Sequence, residues 1–154
     1  MFINRTGFLQ HLYYGRKIEE SDLAYLIKTH GAAAEPNPED INMDMTTDWM
    51  PSECGSFGRG DFRPATVIVR RKDGAAMSRF QYRSHKIVKG APVLAGMPFA
   101  RKADQTLTIT LKDNFSATEI DLNYSVSEDS DILVRNAVIR NAGKERAELV
   151  KAYS

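Results

Sequence analysis

Cysteine is almost absent from this 154-residue chain. Cys54 stands alone, so no intrachain disulfide is available and packing and hydrogen bonds must hold the fold. A lone thiol suits a reducing compartment, and a cytoplasmic location is expected. No apolar run approaches the ~20 residues that cross a bilayer. The start, Met1-Phe2-Ile3 followed by Asn4-Arg5, is not a secretory signal. Neither sign of charge dominates, with 21 basic and 20 acidic residues. That balance gives no pull toward nucleic acid or an anionic membrane, and neither is expected as a partner. The three histidines, His11, His30 and His85, lie far apart and share no ligand spacing with Cys54, so neither a metal nor a cofactor is expected. Internal repeats and low-complexity tracts are also lacking.

What is present is β-alternation. The length suits one domain spanning 1–154. Residues 8–14 read as a strand ending at Gly15. Thr66–Arg71 and Ala76–Val88 read as strands on either side of the Lys72-Asp73-Gly74 turn. Leu107, Ile109 and Leu111 alternate with polar residues, as do Ile120, Leu122, Tyr124 and Val126. Ile132–Ile139 and Leu149–Tyr153 supply two more strands. Period-two alternation with a turn about every ten residues predicts an all-β antiparallel β-sandwich. With strands running to both ends of the chain, a fragment cut from something longer is expected.

Residues 16–52 break the pattern. Ser21-Asp22 is placed to cap a short helical turn carrying Leu23, Leu26 and Ile27. Residues 31–38 (Gly-Ala-Ala-Ala-Glu-Pro-Asn-Pro) form a loop, and Asp44–Trp49 makes a second helical turn before Pro51. A long irregular connection inside a compact domain is often functional or part of an interface. It leads into Gly55-Ser56-Phe57-Gly58-Arg59-Gly60-Asp61-Phe62-Arg63-Pro64-Ala65, where three glycines and two arginines crowd into one turn.

This string, with Gly7-Phe8-Leu9-Gln10-His11-Leu12-Tyr13-Tyr14-Gly15, resembles the N-terminal domain of family 36 glycoside hydrolases, the α-galactosidases or melibiases. The resemblance continues through Tyr82-Arg83-Ser84-His85-Lys86-Ile87-Val88-Lys89-Gly90, Leu94-Ala95-Gly96-Met97-Pro98, Thr106–Asp113 and Ile132–Ala137. Any one string is weak, and their order and spacing carry the match. The resemblance implies a sandwich of the supersandwich type. It implies a parent in which a (β/α)8 barrel, absent here, holds two catalytic aspartates about 5 Å apart in a retaining mechanism. This chain would then be the piece without catalytic residues. Its partners would be the barrel of the same parent chain, neighbouring subunits of a homo-oligomer and a galactosyl oligosaccharide. In oligomeric relatives, loops of this domain reach a neighbouring subunit's pocket. That makes His30, Gly31, Trp49, Phe57, Arg59, Asp61 and Arg63 the candidate pocket or inter-subunit residues. Some relatives place an acidic residue where this chain has Gly31, which weighs against a direct carboxylate contact there.

Blander readings stand beside these. Lys102-Ala103-Asp104 has the lysine–x–aspartate spacing of the family's nucleophile but lacks an apolar strand before it, and reads as a polar turn. The acids at 19–22 and 128–131 read as solvated turn residues. Arg59-Gly60-Asp61 spells an adhesion tripeptide by coincidence. Asp61 either accepts turn N–H groups or pairs with Arg59 or Arg63, and Arg63 is able to fork onto a carboxylate elsewhere. Tyr14 and Phe62 are assigned to core packing, while Trp49 and Phe57 stay open between core and sugar stacking. Cys54 is expected to be buried and inert, and His11 and His85 to be hydrogen-bonded structural residues. The sequons at Asn4, Asn114 and Asn123 carry no weight in a cytoplasmic protein. A free-standing carbohydrate-binding or structural interaction module remains the alternative, although its aromatics look scattered along the chain.

Overall fold

The computed structural model describes residues 1–16, 18–19, 23, 25–27, 47, 50–58, 60–100 and 102–153. Eight strands follow in order: β1 (Phe2–Ile3), β2 (Leu9–Gln10), β3 (Val67–Arg70), β4 (Phe80–Lys89), β5 (Gln105–Asp113), β6 (Thr118–Ser127), β7 (Ser130–Asn141) and β8 (Glu148–Ala152). All pairings are antiparallel. β4-β5-β6-β7 form a four-stranded meander, β3 pairs with β8, and β1 with β2. Among the described residues there is no α-helix; Leu23, Tyr25 and Leu26 have 3-10 geometry. The second expected turn, at 44–49, lies outside the described residues apart from Thr47.

The meander follows from strict alternation in β5 and β6. Leu107, Ile109 and Leu111 stand opposite Tyr124, Leu122 and Ile120, which places six apolar side chains on one face. β7 adds Ile139 opposite Ile120 and Ala137 opposite Leu122. Val67 and Val69 of β3, Leu9 of β2 and Cys54 pack with that face, and Phe80, Leu111, Ile120 and Leu122 are fully buried. This is the sandwich: the meander is one layer, and the two small sheets with residues 50–56 form the other. Burying each of these large side chains contributes roughly 1.5–3 kcal/mol.

β4 corrects the sequence expectation. Residues 76–79 are not strand, because their hydrogen bonds go elsewhere. Ser78 N–H donates to the Phe57 carbonyl (3.1 Å) and Arg79 N–H to the Asp113 carboxylate (2.8 Å). A bulge between Tyr82 and Ser84 then shifts the register, so that His85 opposes Ile109 and Ile87 opposes Leu107. Without it, both would point to the other face. The strand expected over 8–14 is only Leu9–Gln10. His11 N–H instead bonds the Pro51 carbonyl (2.8 Å), and Glu53 N–H bonds the Leu9 carbonyl (2.9 Å).

The opposite face of the meander is polar and laddered. Thr106 meets Ser125 (2.8 Å), Thr108 donates to Asn123 (2.7 Å), Asn123 donates to Asn136 (2.9 Å) and Thr110 donates to Asp121 (2.8 Å). Arg140 forks onto Asp121 at 2.6 and 2.9 Å. The Asn4 and Asn123 sequons are closed by this bonding: both side chains are buried, and Asn4 accepts from Thr6 and Phe8 N–H at 3.0 and 2.8 Å. Asn114 is exposed.

The Arg140 hydrogen bonds hold the Asp121 carboxyl below its usual value despite partial desolvation. Asp129 is lowered first by Lys102, Asp104 by the Glu128 N–H and Asp73 by the Ala75 N–H. A depressed folded value means stability that is present above the unfolded carboxylate value of about 3.9 and lost as pH falls through the folded value. The urea midpoint is therefore expected to hold from neutrality to about pH 5 and to drop below about pH 4. Asp121→Asn lowers the neutral midpoint and flattens the acid drop; a midpoint that rises on acidification contradicts this.

Candidate functional site

The loop after Cys54 is built by its hydrogen bonds. Gly55 N–H bonds Thr66 Oγ1 (3.0 Å), Phe57 N–H bonds Ser78 Oγ (3.0 Å) and Phe80 N–H bonds Ser56 Oγ (3.2 Å). Gly60 takes φ +81°, and a Cβ there would stand 3.4 Å from Thr47 Oγ1, so a larger residue would be strained and crowded. Past Gly60, the Asp61 carboxylate accepts from Arg63 Nε (2.8 Å), Nη2 (2.8 Å) and backbone N–H (3.1 Å). Arg63 Nη2 also donates to the Thr47 carbonyl (2.8 Å). The Asp61 side chain is 6% exposed and that of Arg63 is 45% exposed. A sequestered carboxylate thus aims a half-exposed guanidinium and ties the loop to Thr47.

Of the seven candidate residues, Asp61 and Arg63 are in contact, and Phe57 lies on the same loop, bonded instead to Ser78. His30, Gly31, Trp49 and Arg59 lie outside the described residues. Phe57 is partly exposed. Phe62 and Tyr14, assigned to the core by sequence, are corrected: they are 84% and 60% exposed. The core is filled by strand residues; Tyr14 is held at the surface by its hydroxyl bond to the Asp131 carbonyl, and Phe62 lies in the Asp61–Arg63 turn. Lys102 pairs with Asp129, and Asp104 accepts from Ser127 Oγ and Glu128 N–H, so this stretch is a polar turn as expected.

A cluster missed by sequence reading joins the layers. The Glu53 side chain, 6% exposed, accepts from Tyr124 Oη (2.8 Å) and pairs with Arg135 Nη1 (3.2 Å) and His11 Nδ1 (3.2 Å). Arg135 also bonds the Glu53 carbonyl (3.1 Å) and lies over the Tyr124 ring. Burial first, then the Glu53 charge, pushes the Tyr124 phenol well above its ordinary value. Burial pushes the neighbouring Cys54 thiol up to about 12, with Arg135 partly offsetting and Glu53 adding. Glu53 is 71 and 82 residues from Tyr124 and Arg135; the β6–β7 pairing sets Tyr124 opposite Arg135, and the bonding of 51–53 to 9–11 delivers Glu53 to both. Tyr82 Oη and His85 Nδ1 are 2.8 Å apart, so both described histidines bond side chains. Beyond Glu53 a groove of about 570 Å³ opens over the meander, lined among others by His11, Tyr13, Tyr14, Tyr82, His85 and Leu107. No three described His, Cys, Asp or Glu residues cluster as metal ligands, and no described helix is long and apolar enough to cross a membrane.

The all-β sandwich with this glycine–Asp–Arg loop defines a class. The glycosyl hydrolase family 36 N-terminal domain model matches residues 7–154, and the chain belongs to that family. It is 30% identical over 158 residues to α-galactosidase AgaA of Geobacillus stearothermophilus, covering 100% of this chain and 22% of that protein. It is 35% identical to α-galactosidase Mel36A of Lactobacillus acidophilus, covering 99% of this chain and 21% of that protein. A crystal structure of a substituted AgaA in complex with raffinose superposes with a TM-score of 0.89 at 31% identity, covering 100% of this chain and 22% of that one. The chain therefore spans about a fifth of the length of these relatives, which are glycoside hydrolases carrying this fold as their N-terminal domain.

Proposed function

We propose that residues 1–154 are the non-catalytic N-terminal domain, or part of it, of a larger α-galactosidase. Its barrel, outside this sequence, removes terminal α-linked galactose from melibiose- and raffinose-type oligosaccharides with retention. The supporting observation is that nearly the whole chain aligns with only about a fifth of AgaA and of Mel36A, under a model for the N-terminal domain. On this reading the domain is inactive alone, scaffolds the barrel and supports assembly into a homo-oligomer. Its loop residues His30, Gly31, Trp49, Phe57, Arg59, Asp61 and Arg63 border a neighbouring subunit's substrate pocket. The exposed Phe57 and the aimed, half-exposed Arg63 on one loop favour that role, because oriented guanidinium groups and exposed rings suit a polar ligand with apolar faces. The buried lone thiol fits a cytoplasmic parent.

In the full-length enzyme, Arg63→Ala is expected to raise KM for raffinose about tenfold with little change in kcat, and Arg63→Lys to fall between. An unchanged KM in both variants removes Arg63 from the pocket border.

A further inference from the structure

Tyr14 and Arg16 meet Ser130 and Asp131 at one end of the meander, with Tyr13 beside them in the chain. The Tyr14 hydroxyl donates to the Asp131 carbonyl (2.6 Å), and the Tyr13 hydroxyl donates to the Arg16 carbonyl (3.0 Å). Both rings are thereby fixed at one edge while Tyr14 stays 60% and Tyr13 41% exposed. Gly15 makes the Tyr13 position possible: a Cβ there would stand 2.5 Å from the Tyr13 hydroxyl and displace the ring. Between Tyr14 and β7 lies a groove of about 470 Å³ lined by Tyr14, Arg16, Ser130, Asp131, Ile132 and Leu133. It shares Tyr14, Val126 and Leu133 with the groove over the meander. Its volume is in the range of small-ligand sites.

We infer that this groove is a carbohydrate-binding site, separate from the Arg63 loop, that takes a galactosyl oligosaccharide. The pinned, exposed Tyr14 ring suits the C–H face of a pyranose and is ordered before the ligand arrives. The rim supplies the polar half of the recognition. Arg16 and Asp131 are exposed, and neither has a side-chain partner among the described residues. A sugar hydroxyl donates to the carboxylate and accepts from the guanidinium, giving charge-assisted hydrogen bonds to both. An apolar strand laid over the same groove would strip water from two charges and return nothing. The choice of a galactosyl ligand rests on the proposed function. Binding to the chain is measured without any hydrolysis, so failure here leaves the Arg63 kinetic test untouched.

The test is a titration of the 154-residue chain with raffinose, followed by backbone amide NMR shifts. Saturable shifts are expected at 13–16 and 130–132. Tyr14→Ala should weaken binding about tenfold, while Tyr14→Phe, which keeps the ring, should weaken it less than about threefold. Asp131→Asn, which leaves the Tyr14 contact to the backbone in place, should weaken binding about fivefold and stands in if Tyr14→Ala does not fold. No saturable shift with raffinose, shifts centred elsewhere, or unchanged affinity in Tyr14→Ala and Asp131→Asn overturns the assignment.

Discussion

The native chain should leave Cys54 unlabelled by Ellman's reagent at pH 8, and denaturant should release one full equivalent of colour. The thiolate is the reacting species, and an ordinary thiol with pKa near 8.5 is about a quarter ionised at that pH. With its pKa pushed up to about 12 by burial, Cys54 holds almost no thiolate at that pH in the folded state. Burial adds to this, since the side chain is 3% exposed behind Val67 and Tyr124 and a reagent has to wait for an opening. The labelling rate then measures opening of the layer joined by Glu53. Rapid labelling of the folded chain, at the rate of a free thiol, would show that the layers do not close over Cys54.

Glu53→Ala should destabilise the domain by about 2–3 kcal/mol, read from urea unfolding. Removing one partner of a fully buried ion pair costs roughly 3–5 kcal/mol, and the smaller figure reflects an Arg135 side chain that is 36% exposed. The loss has two parts. Arg135 keeps its charge over the Tyr124 ring with no carboxylate facing it, and the Tyr124 hydroxyl loses its acceptor in a buried position. Glu53→Gln retains an acceptor for Tyr124 and should cost less. The loosened part should be local as well as global, because Glu53 also pairs backbone to Leu9 where 9–11 meets 51–53. A change below about 0.5 kcal/mol in Glu53→Ala would mean the cluster is only surface decoration.

Strands β5 and β6 were legible because their alternation is unbroken, and every second residue is driven to the same side. β4 was legible as a strand but not in register, since the bulge at Arg83 has no composition signal. Tyr14 and Phe62 show where hydrophobicity misleads: large rings at the surface are held by a hydroxyl bond or a turn, not by the core. In the candidate site, Gly60, Asp61 and Arg63 were readable because turn chemistry is local. Glu53, Tyr124 and Arg135 were not, because each is an ordinary residue whose meaning comes from contacts set by sheet pairing. The same holds for Arg16 and Asp131.

On the proposed reading, this domain accompanies a glycosidase and is inactive by itself. The direct measurement is the hydrolysis of p-nitrophenyl α-galactoside by the purified 154-residue chain, beside a full-length enzyme carrying it. Turnover is expected from the full-length enzyme and none from the chain. Turnover by the chain alone would contradict that reading and place an acid pair within these residues.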